Sequence, residues 1–123
     1  MHELGIADAM VKTIDRILAE QAPGAAVKTV TVELGQLSGV VERFLYDAWR
    51  AVTDGTAYEK TILRIHPVPA MARCEDCGAI FVVNPEDLRC PDCRSDKLTP
   101  ISGQDLTLAQ IEVDEPDTEE DEA

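Results

Sequence analysis

With 123 residues, 45% of them hydrophobic, the chain can bury one modest core, which allows one domain with a small appendage and excludes two large ones. The formal charge of −13 is concentrated at one end: Asp114, Glu115, Asp117, Glu119, Glu120, Asp121 and Glu122 leave 17 acids against 11 bases over residues 1–113, a charge of about −6. That body lacks the basic excess that neutralises a phosphate backbone, which argues against nucleic acid as the main partner, and its apolar stretches are broken by charge too often for a membrane span.

The start, MHELGIADAM, has no basic region followed by an apolar one, so no secretory signal is read and a cytoplasmic protein is expected. Ala7, Met10, Val11, Ile14, Ile17 and Leu18 recur at three- and four-residue steps, which predicts a helix from about residue 4 to 21 with one apolar face. Asp8 and Lys12 fall four apart on its outer side, and Pro23-Gly24 ends it. Val30, Val32 and Leu34 then alternate with Thr29, Thr31 and Glu33, the two-residue period of a half-buried strand closed by Gly35. Ser38 reads as the N-cap of a second helix with the stripe Val41, Phe44, Leu45, Ala48, Trp49 and Val52 and a stop at Gly55. A β-rich stretch, Thr61 to Val68, follows. Pro67 and Pro69 cannot donate to a central ladder and mark an edge or exit near residue 68.

A cysteine module occupies about residues 71–100, after which Leu106, Leu108, Ile111 and Val113 suggest a last strand. Their alternation changes phase between Leu108 and Ile111, as at a bulge or where both faces are covered. Strands on either side of the module cannot bury a face alone, so the economical arrangement is an α+β fold. It has two helices packed on a small mixed β-sheet that the chain leaves and re-enters, with a four-cysteine zinc ribbon inserted. The expected division is an α/β domain of residues 1–70 plus 101–114, a metal module of 71–100, and a disordered acidic tail of 115–123 whose composition offers almost no apolar surface to offset its ordering entropy.

Cys74, Cys77, Cys90 and Cys93 form the pattern C-x2-C-x12-C-x2-C. In a reducing compartment such pairs bind metal more readily than they form disulfides, and a two-residue spacer lets both sulfurs of a turn converge on one ion. Gly78 follows the first pair where positive φ is commonly needed; Arg94 holds the corresponding place after the second, a less ideal turn. Arg73, Arg89, Arg94 and Lys97 lie near in sequence to offset the −2 charge of four thiolates on Zn²⁺. With only Ile80, Phe81, Val82, Val83, Leu88 and Leu98 as apolar content, the module needs the ion as its core. A thioredoxin-like dithiol would use one CxxC on a βαβ scaffold, and no His-x-Glu or HExxH pattern supplies a catalytic zinc. Iron of the rubredoxin type also uses paired CxxC turns, and the sequence does not separate it from zinc.

Taken alone, His2 reads as an ordinary frayed residue. Its setting also offers the Met1 α-amine, the intervening amide nitrogen and the imidazole as fused chelate rings, with Glu3 adjacent; nitrogens converging near a plane suit Ni²⁺ or Cu²⁺ better than Zn²⁺. His66 reads as a partly exposed strand histidine, Trp49 as core, and Ser38 as a cap, since no His-Asp constellation accompanies it as a nucleophile.

The MHE start, the run VTVELGQLSGVVERFLYDAW, the pairs CEDC and CPDC, and the closing QDLTLAQIEVDE, in that order over residues 1–114, resemble the HypA/HybF hydrogenase nickel-incorporation proteins. The resemblance implies a metallochaperone, not an enzyme, that binds Ni²⁺ at its amino terminus and helps insert it into the [NiFe]-hydrogenase large subunit. His2 would be the principal nickel ligand, Met1 would supply backbone nitrogen and Glu3 would assist, with Cys74, Cys77, Cys90 and Cys93 holding structural Zn²⁺. A HypB-type GTPase is the implied co-worker, and urease maturation proteins are partners of some members. Where an acidic residue commonly follows the G-x-x-S-x-V pattern this chain has Val41, with Glu42 one step on; on a helix that step is a rotation of about 100°, which speaks against a ligand role for Glu42. The competing class is a zinc-ribbon interaction scaffold without transferable metal, and a third is a dithiol redox enzyme.

Overall fold

The computed structural model describes residues 3–114, which form α1 (Glu3–Gln21), β1 (Val27–Gly35), α2 (Glu42–Thr53), β2 (Ile62–Val68), β3 (Met71–Cys74), β4 (Ile80–Val82), β5 (Leu98–Ser102) and β6 (Leu106–Val113). The acidic tail expected at 115–123 lies outside them, as do Met1 and His2. The chain falls into two compact units, one drawn from the described part of Met1–Val32, Val40–Ile65 and Leu108–Ala123, the other from Glu33–Gly39 and His66–Thr107.

In the first unit α1 packs against α2. The three- and four-residue spacing read from the sequence puts Ala7, Met10 and Ile14 fully inside, with Val11, Ile17 and Leu18 half-buried beside them. Leu45, Ala48, Trp49 and Thr53 form the matching face of α2, and Val27, Thr29, Val30 and Val32 are buried on β1. Three buried side chains are paired: Trp49 Nε1 donates to Thr61 O at 3.3 Å, Thr53 Oγ1 to Trp49 O at 2.7 Å, and Thr61 Oγ1 to Val27 O at 2.8 Å. Tyr58 donates to the Asp15 carboxylate; burial first, then that acceptor and its charge, push the phenol up to about 12. The Asp8–Lys12 pair forms at 3.1 Å in full solvent and is worth little.

Two expectations for α2 are corrected. Its N-cap is Val41, with extended backbone and no side-chain cap bond, rather than Ser38. Residues 36–39 form a turn instead, in which Ser38 N–H donates to Gly35 O at 3.0 Å and Gly39 takes a φ of +84°, so the helix starts later. Starting there turns Val41 and Phe44 outward, each 46% exposed, and the stripe runs from Leu45 to Thr53. Gly55, just beyond the helix, has a φ of +76° as a stop requires.

One three-stranded sheet has the order β2-β1-β6. Thr61 Oγ1 to Val27 O at one end and Gln36 N–H to Val68 O at the other make β1 and β2 parallel, the two joined through α2. Gly35 N–H to Asp105 O and Asp114 N–H to Ala26 O make β6 antiparallel to β1, so the sheet is mixed. Pro67 sits on an edge strand, where a missing donor costs nothing. Along β6 the expected phase change is present: Leu106, Leu108, Ile111 and Val113 are the half-buried residues and Ala109-Gln110, both exposed, separate the pairs.

The second unit holds an antiparallel sheet of order β4-β3-β5. Its buried cluster is Ala70, Ala72 and Val83, with Phe81 and Leu98 packed against it. Ile80 and Val82 are 61% and 58% exposed and Leu88 is exposed too, so the module's apolar core is smaller still than its sequence suggests. Within this unit stretches of backbone pass so closely that a side chain would not fit between them. A Cβ on Gly35 would stand 2.3 Å from the Gly103 carbonyl carbon, and one on Gly103, whose φ is +89°, would stand 2.3 Å from Ala70 Cα. Gly103→Ala therefore combines a backbone clash with a left-handed conformation, and a loss of about 3 kcal/mol is expected in urea unfolding; a loss under about 1 kcal/mol would mean that the backbone around Gly103 shifts freely.

Candidate metal centre

Cys74 ends β3, and Cys77 closes the turn that follows it. Gly78 N–H donates to Cys74 O at 2.9 Å with Gly78 at a φ of +81°, while Cys77 N–H points at Cys74 Sγ from 3.5 Å. The second pair repeats the device. Arg94 N–H donates to Cys90 O at 2.9 Å, and the Asp92 and Cys93 N–H groups point at Cys90 Sγ from 3.4 and 3.5 Å. Arg94 stands where Gly78 stands in the first turn and takes a φ of +66°, a conformation uncommon for a residue with a Cβ. Its guanidinium donates to Asp87 at 2.9 Å, which fixes the strained residue from outside the turn. The two turns are held by further hydroxyl donors, Ser95 to Asp76 at 2.5 Å and Thr99 to Glu75 at 2.6 Å.

The result is convergence. All four sulfurs lie within 4.8 Å of one another, with Cys74 and Cys93 at 3.5 Å and Cys77 and Cys90 at 3.6 Å. A tetrahedral ion with metal–sulfur bonds of about 2.3 Å sets its sulfurs about 3.8 Å apart, so the quartet fits Zn²⁺ and encloses it on four sides, with no coordination position left for water. Cys74 and Cys90 are buried, Cys77 and Cys93 exposed, so the site opens on one side only. Without an ion the quartet titrates as a group. The Cys77 N–H draws the Cys74 thiol down to about 7 against the effect of burial. The Ser95 N–H acts on Cys93 in the same sense, but the Cys74 thiol, burial and the other sulfurs override it and push Cys93 up to about 12. Cys77 is raised as well, against the pull of the Ala79 N–H, by Cys90, burial and Cys74. Four thiolates cannot coexist at this spacing without a cation, so metal uptake must expel protons.

Of the amino-terminal residues read as a second site, Glu3 is described and opens α1; its Oε2 accepts the Val41 N–H at 3.1 Å. This contact joins residues 38 apart in sequence, and no local pattern announces it. Glu42 begins α2 and is exposed. His66 is exposed on β2, and Trp49 is core. Among the described residues no helix is long and apolar enough to cross a membrane.

The family model described as "Hydrogenase/urease nickel incorporation, metallochaperone, hypA" matches residues 1–113. The chain belongs to the HypA family. The hydrogenase maturation factor HypA of Rippkaea orientalis is 36% identical over 115 residues, covering 94% of this chain and 97% of its own. That of Geotalea daltonii is 37% identical over 113 residues, covering 92% and 99%. The solution structure of the Ni metallochaperone HypA from Helicobacter pylori has the same fold, with a TM-score of 0.65 over 92% of this chain and 97% of that one at 21% identity. HypA is a family of metallochaperones for nickel incorporation into hydrogenase and urease.

Proposed function

We propose that this HypA chain keeps zinc and carries nickel at two chemically different places. Cys74, Cys77, Cys90 and Cys93 retain Zn²⁺ as the core of a metal module of residues 71–100. Residues 1–70 with 101–114 form the nickel-binding part, in which His2 is the principal ligand, Met1 supplies backbone nitrogen and Glu3 assists. The chain then acts in the cytoplasm as a metallochaperone, without turnover of its own, passing Ni²⁺ toward the [NiFe]-hydrogenase large subunit together with a HypB-type GTPase; urease maturation proteins are the second client route.

The observation that carries this reading is the closed quartet of sulfurs in a chain whose family handles nickel. A site enclosed by four thiolates suits retention, because exchange needs an open position that a fifth group can enter. A transferable ion therefore belongs elsewhere, on borderline nitrogen donors that prefer Ni²⁺ and let it go when protonated.

The test is metal analysis of the full-length, untagged chain, then nickel titration. One zinc as purified and one further nickel per chain is expected, and a peptide fused ahead of Met1 should weaken the nickel at least about tenfold by consuming the α-amine. A chain that holds zinc and takes up no nickel would be an interaction scaffold, and the delivery role would be lost.

A further inference from the structure

Resting on that nickel reading, we infer that the Glu3 carboxylate assists as a positioning group: it braces the first residue of α1 against the first turn of α2 and so sets where the nitrogen donors ahead of it begin. The N-cap of α2 is Val41, whose side chain accepts nothing. In a capping box the backbone N–H of the N-cap residue is taken by a Glu or Gln at the third helical position, but that position here is Phe44. Glu3 Oε2 takes its place from another helix, 3.1 Å from the Val41 N–H. Its negative charge also stands at the positive end of the α2 dipole, where a carboxylate is favoured. On the other side of the same turn, Val41 O accepts the Leu45 N–H at 3.0 Å, and Leu45 is fully buried. The brace thus runs from residue 3 through the backbone of Val41 into the helix core. The hydrogen bond takes Oε2, and the residue it fixes is the one that follows His2.

The experiment uses the full-length chain, nickel sulfate, calorimetry, the nickel d–d absorption band and amide exchange at Val41. Glu3→Gln, which keeps an acceptor oxygen at the same reach, should bind nickel within about threefold of the parent and leave the band unmoved, while Glu3→Ala should bind about tenfold more weakly and exchange the Val41 amide faster. Glu3→Asp, which retains the charge but withdraws the oxygen by one methylene, should behave as Glu3→Ala and serves if the latter fails to fold. Adding Val41→Ser and Phe44→Glu to Glu3→Ala installs a local capping box; it should restore thermal stability without restoring nickel affinity.

The inference is overturned if Glu3→Gln shifts the band and loses nickel, which would put the carboxylate on the ion. It is equally overturned if the local capping box restores nickel binding along with stability, which would reduce Glu3 to a stabiliser of α2. A His2→Ala chain that binds nickel as the parent does would remove the nickel site itself. That failure is told from loss of the brace alone by Val41 exchange in Glu3→Ala: accelerated exchange keeps the brace, parent-like exchange removes it.

Discussion

Cys90→Ser is expected to abolish metal retention by the cysteine quartet and to melt the sheet of β3, β4 and β5, while the environment of Trp49 stays as it was. A serine hydroxyl does not replace a thiolate on zinc, and Cys90 is the fully buried anchor at which two backbone N–H groups converge. The energetic reason lies in what remains. The buried cluster of this unit is Ala70, Ala72 and Val83, with help from Phe81 and Leu98, whereas ordering each residue costs about 1.5 kcal/mol and a buried Val returns only about 1.5–3 kcal/mol. Structural zinc contributes about 10–16 kcal/mol in small metal-folded peptides, enough to decide between the two states. The sequence has one tryptophan, buried in the α1–α2 unit and hydrogen-bonded there, so its fluorescence reports that unit and not the cysteine module. Loss of amide dispersion for residues 71–100 with unchanged Trp49 emission is the predicted result. Retention of the module's dispersion after substitution or chelation would mean that its small apolar cluster suffices.

The parts legible from the sequence are those where one local signal had no rival. The 3.6-residue stripe of α1, the alternation in β1, the proline-marked exit from β2 and the paired cysteines each depend on spacing alone, and spacing survives whatever the rest of the chain does. The left-handed residue after each cysteine pair was legible for the same reason, including the non-ideal Arg94. The start of α2 was not. Ser38 carries a good capping side chain, but it lies in the turn at 36–39 ahead of the helix, and the acceptor for the N-cap N–H comes from Glu3, far away in the chain. A cap supplied across 38 residues leaves no trace in any window of sequence. The exposure of Ile80 and Val82 was likewise hidden, because a three-residue strand is too short for its alternation to declare which face is covered.

His2→Ala is expected to lower nickel affinity by at least about 100-fold, since removal of a direct ligand should exceed the 10–100-fold that loss of a ligand's hydrogen-bond partner costs. Zinc content should not change, because no cysteine is touched. The same substitution should also remove a pH response. Nickel held by neutral imidazole and amine must compete with protons, and an ordinary imidazole takes its proton near pH 6.5, so on acidification the nickel should leave as that nitrogen titrates. The cysteine-bound ion resists longer. Four sulfurs hold it, and they must be reprotonated together before it is freed. The measurement is one descending pH series on the doubly loaded chain, following nickel by its absorption and zinc by a chromogenic chelator. Separate release, nickel first, follows from nitrogen at one site and sulfur at the other. Simultaneous release, or a nickel curve identical in His2→Ala, would mean that both ions share the cysteine quartet and that the amino terminus carries nothing.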